Sequence, residues 1–254
     1  MKKAHSNSVN RKKIFFLWLL SLCLVFFNLS CGLDVISVVL EDPVSVSTSP
    51  NKESDSFSPQ STFSFSTRKL DNSNDLGKGY VYYKIYNKAE VQNSEVNSLT
   101  NMANSTNKQD SAHGLTESYG YKELHYTRDN SQNSDVLTLE NKSQSVDIRL
   151  TNDVVDSDIL SAFVKIDGTK IGLPVRINGS SFDFGKSGIN DKIPLASDDD
   201  TPALEKFPDE QPEDEAGKYY VSLFYVFMMY DESYIPRYSP IRYLGTVTVN
   251  TKSF

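Results

Sequence analysis

Cysteine is nearly absent from this sequence: among 254 residues only Cys23 and Cys31 occur, both before residue 32. Everything downstream lacks a disulfide staple, a thiol nucleophile and a thiolate metal ligand. Tryptophan is scarcer, with Trp18 as the one example. Beyond His5, the histidines are His113 and His125, twelve residues apart. That spacing puts no pair of imidazoles on one helical face, so the usual zinc patterns are excluded and no metal ligand is assigned. There is no G-x-S-x-G and no legible acid–base pair, which leaves no catalytic residue to name and argues against an enzyme. Cations are also in deficit, with 26 Lys and Arg against 33 Asp and Glu.

The richest local pattern is at the N-terminus. MKKAHSNSVNRKK carries Lys2, Lys3, Arg11, Lys12 and Lys13 and no acid, and the apolar run Ile14 to Phe27 follows it. A basic start followed by a short apolar stretch is the pattern of a secretory signal, here a signal helix within residues 1–30. The run falls short of the roughly 20 apolar residues that span a bilayer. Directly after it come Leu29, Ser30, Cys31 and Gly32. These residues resemble the lipobox of bacterial lipoproteins, with Asn28 where the usual leucine stands. The resemblance implies cleavage between Ser30 and Cys31, and diacylglycerol plus an N-acyl chain on Cys31 as the only non-protein groups, with no other cofactor. Removing residues 1–30 leaves 21 basic against 33 acidic side chains, a net of −12. So acidic a chain is repelled by nucleic acid, and no nucleic-acid partner is expected.

Residues 31–62 read as a lipidated N-terminus, a first strand at VISVVL (35–40), and a Ser-rich tether over 45–62 with little to bury. From residue 63 the signals are almost all β. FSFSTR (63–68) alternates with period two, and GYVYYKIYNK (79–88) places Tyr80, Tyr82 and Tyr86 on one face and Val81, Tyr83 and Ile85 on the other. AEVQNSEVNSLTNMA (89–103) shifts to helical spacing and predicts one short helix, followed by an exposed loop from Asn104 to about His113. YGYKELHYTR (119–128), VLTLEN (136–141) and SVDIRLTN (145–152) alternate as strands. Asp167-Gly168 and Asn178-Gly179 predict tight hairpins. The stretch 198–216, with nine acids and three prolines, reads as a solvated loop. Asp198, Asp199 and Asp200 within it are hard-oxygen candidates for calcium, but without the spacing and turn glycine of a calcium loop. KYYVSLFYVFMMYD (218–231) is apolar on both faces, a buried central strand, and YLGTVTVNT (243–251) closes the chain.

Taken together, strands at 63–68 and 79–88, the aromatic strand at 218–231 and the final strand resemble a fibronectin type III or immunoglobulin-like β-sandwich, with Tyr219 or Tyr220 as its corner tyrosine. The resemblance implies an all-β, antiparallel sandwich over 63–254 with a β-hairpin insertion at about 104–217. Cys-Gly-Leu-Asp, GYVYYKIYNK and the aromatic penultimate strand look like uncharacterised lipoproteins of spirochaetes. That resemblance implies a protein anchored in the cell envelope, in the outer membrane, facing the surface or the periplasm. Tyr234 and Tyr238 flank Arg237 in DESYIPRYSP and form the candidate binding surface. The expected partners are the membrane, through the anchor, and a host or envelope protein. The leading expectation is a binding or display domain. The alternative is an envelope assembly subunit, with a hydrolase behind it.

Overall fold

Thirteen consecutive residues, Lys218 to Tyr230, form the longest strand because neither of their faces could be left in water. Their burial is nearly continuous from Tyr220 to Phe227. The computed structural model describes residues 44–48, 61–70, 77–105, 110–128, 133–155, 158–184, 193–195, 197–201, 217–231 and 233–250. All lie in the second of two units, Met1–Val38 and Val39–Phe254. The signal segment, Ser30, Cys31, the expected strand at 35–40 and residues 202–216 of the acidic stretch lie outside the described residues.

In chain order the elements are β1 (Val44–Thr48), β2 (Thr62–Thr67), β3 (Lys78–Tyr86), α1 (Ala89–Ala103) and α2 (Ser111–His113), the last running into a π-helical turn at Gly114–Ser118. Then follow β4 (Lys122–Glu123), β5 (His125–Thr127), β6 (Ser134–Val136), β7 (Thr138–Glu140), β8 (Gln144–Arg149), β9 (Asp153–Val155), β10 (Asp158–Leu160), β11 (Phe163–Ile166) and β12 (Thr169–Val175). The chain closes with β13 (Lys218–Tyr230), β14 (Pro236–Tyr238) and β15 (Arg242–Asn250).

The fold is built mainly from antiparallel sheet. One sheet runs β1-β2-β8-β11-β12-β5-β6. The other centres on β3 and β13, with β14 and β15 beyond β13 and β4 and β7 beyond β3. Phe65 of the first sheet meets Tyr225 of the second, ring centroids 5.9 Å apart, within an apolar layer of Phe63, Val146, Ile148, Val164, Val81, Leu223 and Phe227. Gly79 makes room for that ring: a Cβ there would lie 2.1 Å from the Tyr225 hydroxyl.

The second sheet's opposite face carries Tyr82, Lys84 and Tyr86 opposite Phe224, Ser222 and Tyr220. Helix α1 covers part of it. Gln92 is fully buried there and its amide donates to Ser222 Oγ at 2.9 Å and Thr246 Oγ1 at 2.8 Å. Beside it Lys84 Nζ donates to Glu95 at 2.6 Å and to the Tyr119 carbonyl at 2.7 Å. Burial pulls the Lys84 pKa below its ordinary value, against the opposing pull of Glu95.

Several expectations need correction. Residues 45–48 of the expected tether, together with Val44, pair with β2 as β1, because VSVST alternates β-branched side chains well enough to form an edge strand. The expected loop near His113 holds a second helix, with Ser111 and Ala112 buried. The segment 119–128 is not one strand: Lys122–Glu123 pairs with β3 and His125–Thr127 with β12, so the chain changes sheets at the fully buried Leu124. Its partner makes the same change between β6 and β7, at Leu137. The Asp167-Gly168 hairpin is present, with φ of 51° and 77°. At Asn178-Gly179 a turn forms with Gly179 at φ 83°, but no strand follows it among the described residues 180–184. The acidic stretch is not solvated throughout, since Asp200 and Thr201 are fully buried.

Candidate functional site

Helices α1 and α2 cover only one end of the second sheet's outer face. Toward the β13–β14 hairpin, the face is left with half-buried tyrosines. The register fixes this: Tyr80 stands opposite Val226, Tyr82 opposite Phe224 and Glu123, and Tyr238 opposite Met228. Antiparallel partners share a face, so these rings form one shelf. Tyr80 and Tyr82 lie 6.5 Å apart.

Between Tyr82, Tyr238 and the α2 turn is a recess of about 130 Å³, floored by Val226 and Ala112 and rimmed by His113, Thr116 and Glu117. His113 stands edge-on to Tyr238 at 5.1 Å and reaches Glu117 Oε1 at 3.4 Å. The π-helical turn sets this rim, and such turns are frequent at functional positions. Burial raises the phenol pKa values of Tyr80, Tyr82 and Tyr238. The Glu123 carboxylate raises those of Tyr80 and Tyr82 further. The hydroxyls stay protonated at neutral pH, so they can donate, and they share the shelf with the Glu123, His113 and Glu117 side chains.

The sequence-based candidates divide. Tyr238 lines the recess. Tyr234, 84% exposed, stands at the hairpin tip and does not line it. Arg237 is held by Asp231, which its guanidinium approaches at 2.9 Å through both Nε and Nη2. The sequence does not single out Tyr82, His113 and Glu117 as contacts. Tyr82 is hidden in a tyrosine-rich strand in which Tyr83 and Tyr86 are fully buried and Tyr80 is half-buried. Glu117 and His113 carry no spacing signal beyond one helical step. Of the expected corner tyrosines, Tyr219 packs on Phe184 at 5.2 Å and Tyr220 joins the core beneath the helices.

A second polar cluster is closed to solvent except at Asp198. Arg176, fully buried, donates to Asp200 at 2.8 and 2.6 Å and to Asp198 at 2.8 Å, and the Tyr83 hydroxyl donates to the same Asp200 carboxylate. Asp198 and Asp200 are therefore spent on a guanidinium rather than arranged around a cation. Among the described residues no group of three or more His, Cys, Asp or Glu is placed to hold a metal ion.

Asp231 organises the hairpin tip. One carboxylate oxygen accepts the amides of Ser233 and Ile235, each at 2.9 Å, while the other takes Arg237. Those amides, and then Arg237, hold its pKa below the ordinary carboxylate value. The contribution is present above that ordinary value and is lost as pH falls through the lower folded value. We expect the Ser233 and Ile235 amides to lose protection in acid, measured as the exchange rate relative to the intrinsic rate at each pH. In Asp231→Ala they should exchange fast at neutral pH and lose that acid dependence. Hydrogen exchange followed by NMR checks both.

No family model, curated protein or solved structure matches this chain.

Proposed function

We propose that the chain is a lipid-anchored, extracytoplasmic domain of the bacterial envelope that binds a protein partner rather than catalysing a reaction. The observation that carries this reading is the tyrosine shelf and its recess, left uncovered on a sheet face whose remainder is sealed by two helices. Tyrosines that offer an apolar body and a donating hydroxyl suit protein contact. The anchor rests on the apolar leader and Cys31, with cleavage after Ser30.

A fibronectin type III-like sandwich is the finer reading of the fold. Its support is strand order: β1-β2-β8 on one side and β15-β13-β3-β7 on the other reproduce the two-sheet order of such modules. Helices α1 and α2 with β4 to β6 then fall between the third strand and its neighbour, and β9 to β12 precede the penultimate strand.

The partner test is crosslinking on intact envelopes with wild type and with Tyr82→Ala/Tyr238→Ala. A central aromatic contact contributes about 2 kcal/mol, so each truncation should weaken capture about 30-fold. The double variant should retain its near-UV circular dichroism. Undiminished capture by a folded double variant would move the contact surface elsewhere.

A further inference from the structure

Tyr230, Tyr234 and Ile235 are 41, 84 and 48% exposed and lie together around the β13–β14 turn. The backbone of the turn holds Tyr234 outward. Its φ is 59°, a left-handed conformation that bulky residues rarely adopt. Its amide donates to the Asp231 carbonyl at 2.9 Å, and the Asp231 carboxylate fixes the amides on either side. Arg237 and Asp231 cancel each other's charge at the base. An aromatic and an aliphatic side chain are thus held outward on a hydrogen-bonded loop, and Glu232, the one further acid in the sequence between Tyr230 and Tyr238, leaves it a net charge of −1.

The place of this tip in the fold says what it meets. Val44, where the described N-terminal strand begins, pairs with Thr67. Thr67 Oγ1 donates to the Lys142 carbonyl, Glu140 pairs with Lys78, and Lys78 pairs with Met228, two residues before Tyr230. The start of β1 and the hairpin tip are therefore at one end of the sheets. The same end carries Arg68, Lys69, Lys78, Lys142 and Lys170, all exposed, against the exposed acids Glu140, which holds Lys142 at 2.6 Å, and Asp167, so basic side chains outnumber acidic ones there in a chain that is otherwise acidic. The thirteen residue steps from Cys31 to Val44 span at most about 45 Å when fully extended. An anchor at Cys31 would leave this end nearer the bilayer than the Lys218 end, which lies the length of the thirteen-residue β13 farther along the sheet.

We propose that the Tyr230–Ile235 tip rests in the headgroup layer of the phospholipid membrane that carries the anchor, with the surrounding lysines and arginine facing lipid phosphates. Tyrosine is suited to that layer, apolar ring toward the acyl chains and hydroxyl toward water. Basic side chains within a Debye length of the surface add attraction. The proposal rests on the lipid-anchor reading, and it moves Tyr234 from the protein-binding surface to the membrane.

The test expresses the full chain with Trp18→Phe, takes the form whose intact mass shows the leader cut, so that no tryptophan remains, and adds either Tyr234→Trp at the tip or Lys218→Trp at the opposite end. Each is reconstituted in phosphatidylcholine vesicles containing phosphatidylglycerol, with and without bromine on the acyl chains. The expected result is a blue-shifted emission from the tip tryptophan that brominated lipid largely quenches, with the tryptophan at the opposite end unaffected. If the chain floats with vesicles but neither tryptophan is quenched, the tip proposal is overturned and the anchor stands. Equal quenching at both ends overturns it too, as does a blue shift at the tip without quenching, which would mean a protein contact. If the chain does not float, the anchor reading fails. The tip is then judged by adding excess vesicles to the unanchored chain: quenching of the tip tryptophan supports it, and its absence overturns it.

Discussion

Replacing Asp200 by alanine should lower the unfolding free energy by about 3–5 kcal/mol, the usual cost of removing one partner from a buried ion pair. That is a large share of the roughly 5–15 kcal/mol that stabilises an ordinary domain. The cost arises because Arg176 and Asp200 are both fully excluded from water. Without the carboxylate the guanidinium keeps only Asp198, whose side chain is 23% exposed. Burial pulls the Arg176 pKa down, but its bonds to Asp200 and Asp198 outweigh this and raise it above its ordinary value. The charge therefore stays in place and cannot be shed to relieve the loss. Nη1 of Arg176 is already buried without a hydrogen-bond partner, so there is little slack to absorb another lost bond. Tyr83 would lose the acceptor of its hydroxyl while still accepting the Ile177 amide at 2.8 Å.

Two further variants separate charge pairing from simple loss of atoms. Asp198→Ala should cost clearly less than Asp200→Ala, because its site is partly solvated. Arg176→Met combined with Asp200→Leu should recover much of the deficit, since an apolar pair of similar volume often matches a buried ion pair. Urea unfolding at neutral pH measures all three. If Asp200→Ala shifts stability by less than about 1 kcal/mol, the segment around it behaves as the solvated loop its composition suggests.

That composition explains why the cluster was not legible in the sequence. Residues 198–216 are so acidic as a stretch that their average describes a solvated loop, yet Asp198 and Asp200 are pinned by an arginine 22 and 24 residues earlier. A buried aspartate is recognisable only by its partner, and the partner is brought near by the fold. The strand that changes sheets at Leu124 is a similar case. Alternation through 119–128 marks one strand, but the buried residues are Tyr121 and Leu124, of opposite parity, because the chain passes from one sheet to the other between β4 and β5.

Where one segment must bury both of its faces, or one clear helical stripe, reading was direct. Residues 79–88 and 218–231 are central strands, and 89–103 is a helix with Val96 and Leu99 buried. The site was half legible. Tyr238 could be named because an aromatic cluster in a loop next to Arg237 is unusual. Tyr82 could not be told from its core neighbours, because only the ending of the helical cover separates it from Tyr86. His113 and Glu117 enter the rim through a π-helical turn that no spacing rule announces.

The largest expected effect concerns location. Several acyl chains at about 0.8 kcal/mol per buried methylene hold a lipidated protein at a membrane for its lifetime. With the chain carrying a net of −12 after residue 30, nothing in its overall charge would replace them at an anionic surface. Serine at position 31 offers no thiolate for diacylglycerol transfer, so the variant loses every chain at once. Retention of an uncleaved leader would keep the variant at the membrane by another route, so the mass of its N-terminus has to be read alongside. The direct measurement is detergent phase partition of wild type and Cys31→Ser from cells, with intact mass determined for each. The account predicts wild type in the detergent phase, starting at a diacylated Cys31, and the serine variant in the aqueous phase or retained only with its leader. A serine variant whose leader is cut and which still enters the detergent phase would contradict it.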